Sequence, residues 1–323
     1  MDRMEKQPDL KDIRAAHQRI RPYINKTPVL TCTGLNKIFG AELFFKCENF
    51  QKAGSFKFRG ACNAIFSLSK EEASHGVVTH SSGNHAAALA LAARKRGITA
   101  RVVMPSNAPP VKIAAVKSYG GIITFCEPAM NSRESTAAQL IRETGAAIIH
   151  PFNDYRIIAG QATAVLELME EIEELDFVLA PVGGGGLLSG TAIAAKSLNP
   201  EIKVIGCEPQ NADDAYRSIK AGRIIPPENP NTIADGLKTS LGSKTFPIIR
   251  DLVDKIVLAA EEEIITAMRY IFERMKIVVE PSSAVALAVL LSSELNLTDK
   301  NVGIIISGGN VDFSSFFEGM IEV

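Results

Sequence analysis

Apolar positions along the chain fall into alternating helical and extended rhythms. Residues 10–23 carry Ile13, Ala16 and Ile20 on one stripe, which predicts an amphipathic helix. Residues 27–30, Thr-Pro-Val-Leu, read as extended, because a residue before proline is driven out of the helical region. A short strand at 43–47 follows. Strands are then predicted at 77–80, 100–104, 122–126 and 147–150, and helices at 84–96, 111–119 and 132–144. The strands are apolar runs without in–out alternation, as expected where both faces of a parallel sheet are covered. A second series places helices at 155–171, 187–197, 261–275 and 282–293, and strands at 177–182, 203–208, 255–258 and 302–306. Residues 222–242 interrupt it with a Pro- and Gly-containing loop that has few apolar residues before Ile233. The pattern predicts an α/β protein of two domains, each an open, mostly parallel sheet flanked by helices. A small domain, 75–151, is inserted into a large one made of 1–74 and 152–323.

The totals narrow the partners. A chain of 323 residues with net charge −1 lacks the basic excess of a nucleic-acid binder. Its five cysteines, Cys32, Cys47, Cys62, Cys126 and Cys207, are scattered without a CxxC pair, which predicts reduced thiols and a cytoplasmic setting. Residues 1–11 are charged and hold no apolar run, so no secretory signal is expected. No apolar stretch is long enough to span a membrane.

Four stretches carry chemistry. In Gly54-Ser55-Phe56-Lys57-Phe58-Arg59-Gly60, Gly54 and Ser55 predict a turn and an N-cap. Lys57 then enters a helix between two phenylalanines. The helix dipole disfavours a cation there, and apolar neighbours lower an amine's pKa. Such a lysine is either an exposed residue beside packed aromatics or an amine primed for Schiff-base chemistry. In Pro181-Val182-Gly183-Gly184-Gly185-Gly186-Leu187, four glycines join a buried strand to a helix. Their N–H groups can converge on an anion at the helix's positive end, and the spacing matches neither Walker nor Rossmann loops. A flexible turn alone would not justify the chain entropy of four glycines. Ser81-Ser82-Gly83-Asn84-His85 offers hydroxyls, an amide and backbone donors at another helix start, which suits a carboxylate or a plain capping cluster. Ser307-Gly308-Gly309-Asn310 ends the last strand, at the edge where open α/β sheets bind ligands. An imine-forming amine, a phosphate cup, a carboxylate loop and a hydroxyl at a strand end together match the needs of pyridoxal 5'-phosphate.

With these motifs in order along nearly the whole chain, the sequence resembles the fold-type II pyridoxal-phosphate enzymes, of the tryptophan-synthase-β-like fold. Within them it resembles the branch of serine racemases and serine/threonine dehydratases. The resemblance implies that Lys57 holds the cofactor aldehyde and takes the α-proton. Phe56 belongs to the same cofactor-binding stretch. Asn84 meets the ring hydroxyl, Gly183, Gly184, Gly185, Gly186 and Leu187 hold the phosphate, and Ser307 meets the ring nitrogen. A hydroxyl at Ser307 holds that nitrogen less firmly protonated than a carboxylate would, which suits elimination.

Inversion at the α-carbon needs acid–base groups on both faces. Ser82 is expected to supply the second beside Lys57. Threonine dehydratases resemble Ser-Ala-Gly-Asn-His here, whereas this chain has Ser-Ser as serine racemases do. A carboxylate-binding serine without a proton role is the alternative. Ser81, Ser82, Asn84, His85 and Arg133 are expected around the substrate carboxylate, although Arg133 also reads as an exposed helix arginine. Expected substrates are serine and also threonine or 3-hydroxyaspartate; a dedicated dehydratase of the last two is the alternative reading. Glu208-Pro209-Gln210-Asn211-Ala212-Asp213-Asp214 reads by itself as a helix start, with acids favoured there. Its similarity to the cation site of eukaryotic serine racemases implies magnesium, manganese or calcium on Glu208, the Ala212 carbonyl and Asp214. ATP, bound by mammalian relatives at a subunit interface, is not expected to activate strongly, because Ala53, Ala87 and Cys32-Thr33-Gly34 replace polar contacts while Lys52, Tyr119 and Asn310 match. The family implies a homodimer. The chain ends soon after Asn310, so no appended regulatory domain is expected.

Overall fold

The computed structural model describes residues 6–292 and 294–312. Its strands are β1 Val29–Thr31, β2 Glu42–Cys47, β3 Val77–His80, β4 Ala100–Pro105, β5 Ile122–Cys126, β6 Ala147–Ile148, β7 Phe177–Pro181, β8 Lys203–Pro209, β9 Lys255–Ala259 and β10 Asn301–Ile306. They form two sheets. A six-stranded sheet has the order β1-β2-β10-β7-β8-β9, and a four-stranded one has the order β5-β4-β3-β6. Only β1 runs antiparallel to its neighbour; the other pairings are parallel.

Strand β10 shows why the strands read as continuous apolar runs. Successive side chains point to opposite faces. Ile304 and Ile306 join one core cluster with Val285 and Leu287, while Ile305 joins another with Leu166 and Leu188. All three isoleucines are fully buried, each worth about 1.5–3 kcal/mol relative to exposure. With no face left for water, no polar residue interrupts the run.

Several boundaries differ from expectation for local reasons. The helix expected at 155–171 is two, Tyr155–Gln161 and Thr163–Glu171. Gly160 lies against Gly60 so closely that a Cβ on it would come within 2.6 Å of the Gly60 Cα. The Thr163 hydroxyl donates to the Gly160 carbonyl at 2.7 Å, a back-bond that bends helices. The helix from Glu261 ends at Tyr270 and continues as a π turn, Ile271–Met275, closed by Lys276 at φ 59°. Residues 222–242 contain a 3₁₀ turn, Asp235–Leu237, and are followed by a helix, Thr245–Leu252, that the sequence did not announce because Pro247 sits in its first turn. The helix expected at 282–293 spans Pro281–Ala288; Ser293, its expected end, lies outside the described residues, as do the first five of residues 1–11.

Candidate active site

The chemistry-bearing loops leave the carboxyl ends of β2, β10, β7 and β3, where parallel sheets leave backbone groups free for ligands. Lys57 opens the helix Lys57–Ser67. Ser55 does not cap it, contrary to expectation: Phe56 holds the N-cap position without a side-chain bond, and the Ser55 hydroxyl is buried without a partner. The helix start is fixed through the backbone instead. Ser55 forms an antiparallel bridge to Gly308, and the Phe56 N–H donates to the Ser307 carbonyl at 2.9 Å. This pairing joins the lysine stretch to the end of β10.

Lys57 is half-buried, its amine donating to the Pro151 carbonyl at 3.1 Å and lying 5.1 Å from the Phe56 ring centroid. Burial lowers its pKa to about 8, and the Glu280 carboxylate pulls the other way. The amine is therefore partly uncharged near neutral pH, as a nucleophile or base requires.

The glycine loop links β7 to the helix Gly186–Leu198. Among the described residues, the N–H groups of Gly183, Gly184 and Gly185 meet no acceptor, which leaves them for an anion at the helix's positive end. The back of the loop is packed too tightly for side chains. A Cβ on Gly184 would strike the Phe152 ring, and one on Gly183 would come within 3.0 Å of the Leu237 backbone. Gly185 stands at φ 86° with Leu241, Thr245 and Ile249 behind it, and the Thr245 hydroxyl donates to the Gly184 carbonyl at 2.8 Å. The unpaired donors and the Cβ-free cradle fit a phosphate. Leu187 is buried in the core, so it can offer only its backbone. Asn153 staples the neighbouring loop, accepting from the Lys244 N–H at 2.7 Å. The brace under Lys57 and the glycines is thus Pro151-Phe152, which sequence reasoning missed.

After β3, the loop Ser81-Ser82-Gly83 leads into the helix Asn84–Arg96. Ser81, Ser82 and Asn84 are half-buried. The Asn84 amide donates to both Glu280 carboxylate oxygens at 2.9 Å and accepts from the Asn310 amide at 3.0 Å. Asn310 also donates to the Ala53 carbonyl at 2.8 Å. The two sheets meet here: Glu280, bonded to Asn84, donates its N–H to the Gly308 carbonyl at 3.0 Å and acts on the Lys57 amine, so the motifs at Lys57, Asn84 and Ser307 converge on one cleft. Glu280 is a site residue the sequence reading missed. Burial raises its pKa to about 7 against the Asn84 hydrogen bond. Its signal was an acid between the apolar Ile277-Val278-Val279 run and a helix-opening proline.

Not every expected residue presents its side chain to this cleft. His85 is buried, and burial, with Lys57 beside it, holds its pKa well below normal against a backbone bond at Ile149. The expected carboxylate contact is therefore left to its backbone N–H at the helix start. Arg133 stands on the helix Met130–Thr144 near His80 and makes no hydrogen bond to residues 81–84 among the described residues. Elsewhere, Glu208 is buried and accepts from the Ala215 and Tyr216 N–H groups at 2.7 and 2.8 Å. Both Asp214 oxygens are buried without partners. Burial raises Glu208 to about 9 and Asp214 to about 6.

The family described as pyridoxal-phosphate dependent enzyme matches residues 20–308. A serine racemase of Dictyostelium discoideum is 57% identical over 95% of this chain and 96% of its own. A beta-hydroxyaspartate dehydratase of Paracoccus denitrificans is 51% identical over 94% of this chain and 97% of its own. The structure of maize serine racemase superposes with a TM-score of 0.95 at 48% identity, covering 98% of both chains.

Proposed function

We propose that this chain, which belongs to the pyridoxal-phosphate dependent enzymes, is a serine racemase that also dehydrates serine to pyruvate and ammonia. The observation that carries this reading is the desolvated Lys57 amine acted on by Glu280, the carboxylate that Asn84 also bonds; Ser82, two residues before Asn84 on the loop after β3, is read as the second proton-transfer group. The serine racemase relatives add to it.

Lys57 would hold the cofactor's aldehyde, the N–H groups of Gly183 to Leu187 its phosphate, Asn84 its ring hydroxyl and Ser307 its ring nitrogen. Phe56 adds its aromatic side chain beside the lysine. When bound, the cofactor supplies an electron sink that acidifies the substrate's α-C–H bond. Ser81, Ser82, Asn84 and the His85 N–H orient the substrate carboxylate, with Arg133 behind them. The Lys57 amine removes the α-proton from one face. The Ser82 hydroxyl delivers a proton to the other, and the roles reverse for the enantiomer. When the β-hydroxyl leaves as water instead, serine ends as pyruvate and ammonia. Incubation with L-serine should yield both D-serine and pyruvate. The second reading, a 3-hydroxyaspartate dehydratase, is favoured by the Paracoccus relative. Oxaloacetate from L-threo-3-hydroxyaspartate, with no D-serine from L-serine, would establish it and sink the first.

Replacing Gly185 tests the phosphate cradle. At φ 86°, an alanine costs about 1–2 kcal/mol in backbone strain, and its Cβ would meet Ile249, Leu241 and Thr245 at 2.8–2.9 Å. Gly185→Ala is expected to weaken cofactor binding at least tenfold by fluorescence titration.

Glu208, the Ala212 carbonyl and Asp214 are proposed to hold magnesium, manganese or calcium in a stabilising role. Unpaired buried carboxylate oxygens support this. Among the described residues no group of three His, Cys, Asp or Glu forms a metal site, so water and the carbonyl must complete the donor set. Both carboxyls must lose their protons to bind the ion. Magnesium should therefore raise the melting temperature by several degrees, more at pH 8 than at pH 6, and Asp214→Asn should remove the effect.

The division into domains at 74/75 and 151/152, closing over the substrate, is proposed on the strength of the two sheets. A homodimer is supported by the exposed Ile38, Phe50 and Phe272, and a cytoplasmic setting by five unpaired cysteines. Among the described residues no helix is long and apolar enough to cross a membrane. Strong ATP activation is not proposed, given Ala53 and Ala87.

A further inference from the structure

We propose that Arg59, gripped by Glu48 and Glu167, is a positioning residue for Lys57, fixing the rotation of the helix turn that carries the amine. The inference rests on the reading of Lys57 as the cofactor lysine.

Arg59 is fully buried two residues beyond Lys57. At 3.6 residues per turn, the two side chains leave the helix roughly 200° apart. Lys57 therefore faces the cleft while Arg59 faces the interior on the opposite side. The guanidinium is held at both ends of its fork. Its Nε and Nη2 donate to Glu48 at 2.7 and 2.8 Å, and its Nη1 and Nη2 donate to Glu167 at 2.8 and 2.7 Å. The hydroxyls of Thr163 and Thr27 accept further bonds at 3.2 and 3.3 Å. Lys46, also fully buried, donates to Glu167 at 2.7 Å and to the Thr27 carbonyl at 2.7 Å. The four side-chain charges cancel. The partners come from the end of β2, the segment before β1 and the helix Thr163–Glu171, so the turn is tied to three separate parts of the large sheet's layers.

Stability does not explain this arrangement. A buried ion network is often replaced by apolar residues without loss, and its best-attested use is to select one geometry. A cation in the first helical turn also opposes the dipole, so the place of Arg59 is dictated by its carboxylate partners. On the cleft side the same turn is pinned by the Phe56–Ser307 bond and the Ser55–Gly308 bridge. The turn is thus held from front and back. A guanidinium suits the back because its planar fork engages each of two carboxylates with a pair of N–H bonds, which a point-charge ammonium cannot do.

The test compares the parent holoenzyme with Arg59→Lys, which keeps the charge and loses the fork, and Glu48→Gln, which keeps the shape and loses a charge. The Glu48 variant stands in if the Arg59 variant does not fold. Measurements are kcat and KM for L-serine per bound cofactor, the visible absorbance band, the melting temperature, and the lysine labelled by borohydride in the parent. A positioning role predicts kcat lowered at least tenfold, KM within about twofold because the carboxylate loop lies on the other sheet, and a displaced or weakened visible band. Variants that keep the parental kcat and band overturn the proposal, even if their melting temperature falls. A parent labelled at a lysine other than Lys57 overturns the underlying reading instead.

Discussion

Lys57→Ala is expected to lower both racemisation and pyruvate formation by at least about 10³-fold, since a positioned base alone contributes about 10²–10⁴ and the same amine anchors the cofactor. The visible absorbance of the purified protein should fall with it. Other lysines around the site are committed elsewhere: Lys244, which shares the neighbour His150, lies over the Tyr155 ring, and Lys112 pairs with Asp235. Neither can replace an amine seated at Pro151. Folding should survive, because the removed amine is desolvated and its one hydrogen bond goes to a backbone carbonyl. A melting temperature near the parent's would show that the loss is chemical. A Lys57→Ala protein that still makes D-serine or pyruvate at more than about 0.1 per cent of the parental rate would contradict the assignment.

Ser82→Ala should separate the two reactions. Racemisation needs proton transfer at both faces of the α-carbon, whereas dehydration needs the α-proton removed from one. Loss of the hydroxyl is expected to slow D-serine formation from L-serine by about 10²-fold or more, while pyruvate formation stays within a few-fold. The substitution removes one oxygen from a half-buried loop position and leaves the Asn84–Glu280 and Asn84–Asn310 bonds in place. A collapsed loop would instead lower both products together, so their ratio is the readout. D-serine formed as fast as in the parent would show that Ser82 only binds the carboxylate.

The legible part of this protein was the part set by short-range rules. The runs at 77–80 and 302–306 became β3 and β10 because strands buried on both faces admit few polar residues. The helix Asn84–Arg96 could be read to the residue from its small-residue run and the Gly97 that ends it at φ 73°. The glycine run pointed to an anion cradle because few other uses require so many residues without Cβ. What stayed hidden depends on partners distant in sequence. Ser55 looked like a cap, but Gly308 claims its backbone across the sheet edge. The break at Ala162 follows from Gly60 crossing Gly160, a contact between residues 100 apart in number. Glu280 and Phe152 carry no motif of their own; their importance lies in what the fold brings beside them, Asn84 and the glycine loop respectively.

The central claim is a covalent link between the cofactor and one amine. Borohydride reduction of the holoenzyme, followed by proteolysis and mass mapping, should place the pyridoxyl group on the peptide containing Lys57. A label on any other peptide, or no label from protein that makes D-serine, would contradict the account.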